Sequence, residues 1–423
     1  MGGVPHLWRI AWLWSRGKDP GGLCLPPTSI QWGIMMRRDR ACGGRIRLEG
    51  NIDSAMTSLT LRIETERLLK TFVDILSVDS YWGNEDRVVA IIRPLLETVG
   101  AVCSQDDIGN LIAKWPAKGK QSHPIMLNAH MDTVQPTPGM RPVVRDDAVH
   151  SDGSSVLGAD DKAGVAAIIE AVLAVHDSGA DHGPVELVFT VGEDVGQFGA
   201  DAFDPNDIDA RVAFVLDAGG PVGNVITRQA GSYMFEAVFH GRAAHAGIAA
   251  ADGISAIAMQ ARAVGNMTLG RVDDVTVANV GVVSGGQAAN IVPPEAKIVG
   301  QARSLDQDAL EGQMDAMRKA CQDAAEAFGG RVDYIQKGRF KATQFDDEHP
   351  AICLADTAIK AAGIEPRHVA THGGSDAQNF NEKGIETAIL AVGYEDVHST
   401  VEWMPHDELR RLTDITAQLI LNA

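Results

Sequence analysis

The sequence predicts an α/β protein in which a doubly wound, mostly parallel sheet is interrupted by a second, smaller unit. Strands alternate with helices toward both ends of the chain, as in a parallel sheet covered by helices. The middle of the chain has the order βαββαβ, which is typical of a ferredoxin-like unit. A chain of 423 residues with 45% hydrophobic side chains is long enough to form both cores.

The elements of the large sheet are predicted from hydrophobic periodicity. Residues 64–76 and 85–99 have the apolar spacing of amphipathic helices, and residues 408–421 predict a closing helix. Residues 163–175 are almost wholly apolar, which indicates a helix buried against a sheet. Short apolar runs predict strands at 110–115, 124–129, 185–191, 212–216 and 387–392.

The middle of the chain predicts a separate inserted domain. Its strands are expected at 232–240, 275–283, 296–303 and 331–336, and its helices at 253–264 and 307–328. We therefore expect an inserted domain at 229–337. The catalytic domain would then be assembled from 56–228 and 338–423.

Residues 1–55 differ from the rest of the chain. They hold four of the seven tryptophans, are rich in Gly and Pro, and show no lasting period. A signal peptide fits poorly, because the apolar stretch between Arg9 and Arg16 is short and no small-residue cleavage site follows. We expect a poorly ordered extension ahead of a natural start at Met56, and we exclude it from the fold.

The charge and the cysteines narrow the possible partners and the location. A net charge of −19 argues against nucleic acid, because phosphate binding needs a basic face. No apolar run approaches the roughly 18 residues of a membrane helix, so no membrane partner is expected. The five cysteines lack paired spacing, which favours a reducing, cytoplasmic location.

Five short motifs carry residues that bind metals, and four of them directly follow a predicted strand. The carboxyl ends of parallel strands are where ligands gather in such sheets. Imidazoles mixed with carboxylates suit zinc, so the pattern predicts a two-metal hydrolase site. The motifs are His130 with Asp132, Asp160 with Asp161, Glu193 with Asp194, Asp217, and His398.

Each motif taken alone also fits a structural role. Asp160 and Asp161 precede an apolar helix and suit an N-cap. Glu193 with Asp194, or Asp217 before its two glycines, suits a solvated turn. We favour the metal site because all of these structural roles would have to coincide at strand ends.

Six strings give the chain a family resemblance over residues 58–423. With them the chain resembles the zinc exopeptidase family that includes peptidase T, carboxypeptidase G and aminoacylase. The string at 157–164 points to the peptidase T branch in particular. The strings are NAHMDT at 128–133, LGADDKAG at 157–164, GEDVG at 192–196, HAG at 245–247, GGQAANIVP at 285–293 and GGSD at 373–376.

The resemblance implies two zinc ions per subunit, with cobalt or manganese as alternatives. One zinc would take His130 and Asp217, and the other would take Asp194 and His398. Asp160 matches the carboxylate that bridges both metals.

Three further residues are implied to take part in the reaction. Asp132 resembles the carboxylate that orients the imidazole of His130. Glu193 matches the general base, which takes a proton from the attacking water and passes it to the leaving amine. His245 resembles a histidine that stabilises the oxyanion, in many members from a partner subunit. The inserted domain would thus be a lid and dimerisation domain of a homodimer. The resemblance also implies that the Asp160–Asp161 peptide bond is cis.

The resemblance also implies substrate contacts and shows departures from the family. Asn290, Arg303, Gly373, Gly374 and Ser375 match positions that contact the substrate, with Arg303 as the grip on a carboxylate. The family usually has Glu where this chain has Asp194, which is one methylene shorter. Residues 248–253 lack the usual Pro-Glu. Residues 371–376 lack the Arg of peptidase T, so strict tripeptide specificity is not implied.

These observations lead to one favoured function and two alternatives. The favoured hypothesis is a zinc aminopeptidase that acts on short peptides. An N-acyl-amino-acid amidohydrolase or a carboxypeptidase would use the same machinery. A metal-binding protein without catalysis is the third hypothesis, and Asp194 is its only support.

Overall fold

The structure is a computed structural model that describes residues 61–137 and 139–423. The predicted extension at 1–55 and the predicted start at Met56 lie outside the described residues. The helices of the described part are α1 (Thr65–Leu76), α2 (Asp86–Thr98), α3 (Ala159–Ser178), α4 (Phe198–Ala202), α5 (Ala256–Gly265), α6 (Gln307–Ala327), α7 (Pro350–Ala361), α8 (Ala377–Glu382) and α9 (His406–Asn422).

The strands of the same residues form three sheets. They are β1 (Val102–Gln105), β2 (Leu111–Trp115), β3 (Ile125–His130), β4 (Val143–Val144), β5 (Ala148–His150), β6 (Val185–Thr190), β7 (Val212–Ala218), β8 (Asn224–Gln229), β9 (Gly231–His240), β10 (Gly270–Arg271), β11 (Thr276–Gly285), β12 (Glu295–Ser304), β13 (Arg331–Phe340), β14 (Thr343–Gln344), β15 (Arg367–Thr371), β16 (Glu386–Ala391) and β17 (Trp403–Pro405).

The largest sheet has nine strands, and its centre is parallel. Its order is β1-β2-β6-β3-β7-β16-β8-β14, with β15 paired to β8. The four central strands β6, β3, β7 and β16 run parallel to one another. Antiparallel strands join them on both sides, β2 at β6 and β8 at β16. The predicted doubly wound α/β fold is confirmed.

Helices on both faces explain why the central strands are apolar throughout. Every residue of β3 and β6 is buried, as expected for parallel strands covered on both faces. The apolar helix α3 packs against β3, α1 and α9. Its one buried acid in the helix body, Glu170, accepts hydrogen bonds from Arg67 of α1, with a distance of 2.7 Å from Oε2 to Nε. On the opposite face, α8 packs against β16 and α4.

A five-stranded antiparallel sheet is built from the middle of the chain. Its order is β10-β11-β12-β9-β13, and α5 and α6 pack on one face. The chain order β9, α5, β11, β12, α6, β13 is the predicted βαββαβ pattern, with the two-residue β10 added. The domain limits at 229 and 337 stay a prediction.

Some elements were not predicted from the sequence, among them strands β8 and β15 and helix α7. β15 has no fully buried residue, so its sequence shows no apolar run, and α7 is rich in small alanines that give little contrast. None of the described helices is both long and apolar enough to cross a bilayer.

The burial of α3 predicts a large loss of stability from a cavity in its core face. Ile168 is fully buried, and Ile168→Ala should lower the free energy of unfolding by about 2–5 kcal/mol. Urea unfolding monitored by circular dichroism measures the change. The control Val102→Ala removes a side chain that is 71% exposed, and it should shift stability by less than about 0.5 kcal/mol. Equal losses in both variants would contradict the packing described here.

Candidate metal centre

The candidate site lies at one edge of the large sheet because three neighbouring strands end there. His130 is the last residue of β3, Asp217 lies near the end of β7, and Glu193 and Asp194 follow the end of β6. These strands are parallel neighbours in the order β6-β3-β7, so their carboxyl ends meet. Asp160 reaches the same place from the start of α3.

Three overlapping groups of side chains could each hold a cation, and within each group the ligand atoms lie within 4.8 Å of one another. His130, Asp160 and Asp194 belong to two groups each. The groups are His130 with Asp160 and Asp217, His130 with Asp132 and Asp194, and Asp160 with Asp194 and His398.

The two carboxylate oxygens of Asp160 face different histidines. Oδ1 lies 3.3 Å from His130 Nε2, and Oδ2 lies 3.0 Å from His398 Nε2. Asp217 Oδ1 is 3.9 Å from His130 Nε2, and Asp194 Oδ1 is 3.0 Å from His398 Nε2. The arrangement gives two nitrogen-and-oxygen clusters that share one carboxylate.

One orphaned oxygen supports a metal at this site. Asp194 Oδ2 is buried and has no hydrogen-bond partner among the described residues. A buried carboxylate oxygen without a partner is unfavourable unless a cation binds it. The mixed imidazole and carboxylate donors suit zinc, cobalt or manganese, so the residues fit the implied metals.

The site crowds like charges, which changes the acidity of its groups. Burial, helped by the charge of Asp160, raises the pKa of Asp217 well above its usual range. Hydrogen bonds to Asp160 and then to Asp194 raise the pKa of His398 to about 10. Burial raises the pKa of Glu193 to about 8. A bound divalent cation would oppose these shifts, because it favours carboxylate anions and neutral imidazole.

Backbone geometry places two of these groups in unusual conformations. The Asp160–Asp161 peptide bond is cis, as the family resemblance implied. His398 has a φ of 61°, in the left-handed region that residues other than glycine seldom adopt. Its loop follows β16, and this backbone turn brings the imidazole to Asp160.

Asp132 lies behind the site. Its Oδ1 is 3.3 Å from His130 Nδ1, so it faces the ring nitrogen on the side away from Asp160. The backbone N–H groups of Glu193 and Asp194 donate to its carboxylate, at 2.8 Å and 3.2 Å. One buried side chain therefore contacts both the His130 imidazole and the loop that follows β6.

Glu402 holds the segment before Asp160, and sequence reasoning missed it. The backbone N–H groups of Leu157, Gly158 and Asp160 all donate to its carboxylate, at 2.9 Å, 2.8 Å and 3.1 Å. Burial raises the pKa of Glu402 to about 7. No local pattern marks this residue, because its partners lie more than 240 positions earlier in the chain.

A cavity of about 360 Å³ opens beside the candidate metal ligands. Its lining residues include Glu193, Asp194 and His398, and also Arg303, Gly373 and Gly374. Arg303 Nη1 donates to the carbonyl oxygen of His372 at 2.8 Å.

Three of the other predicted residues lie outside this cavity. Ser375 is buried and lines a neighbouring pocket together with Asp160 and Asp217. Asn290 and His245 are exposed and adjacent, since the N–H of Ala246 donates to the Asn290 carbonyl at 2.9 Å. The fold of one chain thus does not bring His245 to the cavity.

The clustered imidazoles and carboxylates form a candidate metal centre on an α/β fold, and comparison with known proteins identifies the family. Residues 126–422 match Peptidase family M20/M25/M40, and the chain belongs to this family. It is a peptide hydrolase that resembles the peptidase T branch. The uncharacterized protein YqjE of Bacillus subtilis (strain 168) is 36% identical over 370 residues, which cover 85% of this chain and 99% of YqjE.

Two solved structures are similar over almost their whole length. The aminopeptidase PepT from Bacillus cereus ATCC 10987 is 35% identical with a TM-score of 0.79, covering 85% of this chain and 99% of that one. A tripeptidase from Staphylococcus aureus subsp. aureus Mu50 is 32% identical with a TM-score of 0.81, covering 85% and 98%. Peptidase T of Clostridium novyi (strain NT) is 27% identical over 303 residues, which cover 70% of this chain and 74% of that protein.

The contacts of Glu402 predict an effect on metal binding. Glu402→Gln places an amide N–H against a backbone N–H, which should loosen the segment that carries Asp160. Zinc affinity, measured by competition with a chelator, should fall by about 10- to 100-fold. The matched control Glu326→Gln changes an exposed residue of α6 and should leave the affinity unchanged. An unaltered affinity in the Glu402 variant would show that its hydrogen bonds do not support the site.

Proposed function

We propose that this chain is a two-metal exopeptidase that removes the amino-terminal residue from short peptides. The observation that carries the proposal is the position of Asp160, whose two oxygens face His130 and His398 beside a cavity that Glu193 lines. The names of the similar solved structures, an aminopeptidase and a tripeptidase, support the same substrate class.

The proposed metal ligands form two sets. His130 and Asp217 would hold one ion, and Asp194 and His398 would hold the other, with Asp160 shared. When bound, a divalent metal pair polarises the scissile carbonyl and lowers the pKa of the attacking water. We propose zinc, with cobalt or manganese as functional substitutes, and two ions per subunit.

Glu193 is the proposed general base. Its carboxylate lines the cavity, where it can accept a proton from the attacking water and deliver it to the nitrogen of the leaving amine. Its backbone is held by the hydrogen bond from its N–H to Asp132. A fixed backbone keeps the base within reach of the scissile bond.

The shorter side chain of Asp194 still reaches its partner. Asp194 Oδ1 lies 3.0 Å from His398 Nε2, the same distance as Asp160 Oδ2. The loss of one methylene relative to Glu therefore does not separate this carboxylate from the site. This geometry favours an active enzyme over a metal-binding protein without catalysis.

His245 is proposed to act in a homodimer. Its loop is exposed and lies away from the cavity of its own chain, so a partner subunit would have to supply this imidazole to the oxyanion. The proposed interface uses the five-stranded sheet, where Val282 and Val283 of β11 are 51% and 58% exposed. Exposed apolar residues on a strand of the inserted domain suit burial against a second copy.

Arg303 is the proposed contact for a substrate carboxylate. Arg303 lines the same cavity as Glu193, Asp194 and His398, and its Nη1 donates to the His372 carbonyl. The contact would also suit an N-acyl-amino-acid amidohydrolase or a carboxypeptidase, because their substrates carry a carboxylate too. We also propose Asn290, Gly373, Gly374 and Ser375 as substrate contacts.

We further propose a cytoplasmic location. The free thiols of Cys103, Cys321 and Cys353 support it.

A conservative change of the base separates chemistry from metal binding. Glu193→Gln keeps the size of the side chain but removes its ability to accept the proton. We expect kcat to fall by at least about 100-fold, within the range of general base catalysis, while two zinc ions remain bound. Steady-state kinetics and elemental analysis of the same sample provide the test. Retained turnover would remove Glu193 from this role.

Paired substrates distinguish the aminopeptidase from its alternatives. An unblocked tripeptide should be hydrolysed by zinc-loaded protein, its N-acetylated form should not, and a chelator should abolish the activity. Chromatography of the products at matched concentrations reports both reactions. Cleavage of the acetylated peptide would instead support the amidohydrolase or carboxypeptidase.

Subunit mixing tests the position of His245. His245→Ala and Glu193→Gln should each be inactive alone, because each lacks one residue of the reaction. When the two variants exchange subunits, activity should return, since one site of the mixed dimer then holds both residues. Size-exclusion chromatography establishes whether the protein is dimeric, native mass spectrometry of differently tagged subunits confirms exchange, and each variant mixed with itself is the control. Exchanged dimers without activity, or a protein that is only monomeric, would exclude a histidine from the partner.

A further inference from the structure

The carboxylate of Glu193 has a hydrogen-bond donor that the proposed reaction does not yet use. Gln197 Nε2 donates to Glu193 Oε1 at 2.9 Å. The backbone brings the two side chains together, because the N–H of Gln197 also donates to the Glu193 carbonyl at 2.8 Å. The two residues therefore close a single turn, and the side chain of one holds the side chain of the other.

The side chain of Gln197 is itself fixed. Gln197 is 4% exposed and has a φ of 56°, a left-handed conformation for a residue with a Cβ atom. Asn379 Nδ2, from α8, donates to Gln197 Oε1 at 3.3 Å. An amide can accept only at its oxygen, so this contact turns the Nε2 group toward Glu193.

Gly374 leaves the space that this arrangement needs. A Cβ atom added at Gly374 would lie 3.0 Å from Gln197 Nε2, closer than side chains normally pack. The loop at residues 373–374 and the amide of Gln197 thus fit together at the cavity wall, which both of them line.

We infer that Gln197 is a positioning residue for Glu193 and that Asn379 is its support; the inference rests on the proposed function of Glu193 as the base. A donor to Oε1 restrains the rotation of the carboxylate and leaves the other oxygen to accept the proton from water. Because the amide is neutral, it holds the carboxylate without cancelling the negative charge that a base needs. Gln197 acts only through Glu193.

The main variant is Gln197→Met, which keeps an unbranched side chain of similar length without the donor. We expect kcat for an unblocked tripeptide to fall by about 10- to 100-fold, as misplacement of a reacting group does. KM should change by less than about threefold, and the zinc content should stay unchanged. The control is Gln313→Met. Gln313 of α6 is another buried glutamine, and its amide donates to the Thr268 carbonyl, so this variant should keep the wild-type kcat.

A double-mutant cycle separates positioning from general support of the fold. Asn379→Ala should lower kcat by a smaller factor, about three- to tenfold, because Gln197 can still reach Glu193. In the Gln197→Met background the same change should have no further effect, since the contact through which it acts is already gone. If the methionine variant is unstable, the single variant Asn379→Ala still tests the proposal by itself. Additive losses would overturn the role of Asn379.

A crystal structure of Gln197→Met gives a readout that does not depend on activity. The inference predicts that the Glu193 carboxylate rotates away from its original position or occupies several conformers. A wild-type kcat with Glu193 unmoved, or a loss confined to KM, would overturn it. If the wild-type protein hydrolyses no peptide while Glu193 still moves in the variant, the proposed function fails and the positioning of Glu193 by Gln197 stands.

Discussion

Several carboxylates are buried together at one edge of the parallel sheet, where they repel one another. The surrounding structure has to compensate this repulsion. Asp160, Asp194 and Asp217 meet there with two imidazoles, and burial raises the pKa of Asp217 and Asp194 above the usual range. Like charges in a poorly solvated place are unfavourable unless a cation or fixed dipoles compensate them. These unfavourable charges lie where the ends of three parallel strands converge. The proposed chemistry needs its metal ligands at the same place.

Fixed dipoles from several elements hold these ligands in place. Glu402 takes three backbone N–H groups around Asp160, and Asp132 takes two from the loop after β6. The ends of that loop are closed by Asn110, which accepts from the N–H of Val191 and donates to the carbonyl of Gly199. Such buried and satisfied contacts reduce the freedom of the ligands before any metal binds, and preorganised ligands bind more tightly.

The sequence predicted the parts of the site that lie at strand ends, because a buried strand has a recognisable apolar run and the residue after it has a defined place in the fold. His130, Glu193 and Asp217 follow this logic. The residues that support them do not, since Glu402 and Asn379 act across more than 180 positions of sequence and neither belongs to a local pattern. His245 illustrates a different limit. Its motif was recognisable, but one folded chain leaves it exposed and away from the cavity.

We propose that Asp160 joins two metal ions where the strands end. Anomalous diffraction from crystals of the zinc-loaded protein, recorded above and below the zinc absorption edge, tests it most directly. We expect two strong peaks, one against His130 and Asp217 and one against Asp194 and His398, with an oxygen of Asp160 at each. A single peak, or two peaks of which one does not contact Asp160, would contradict it.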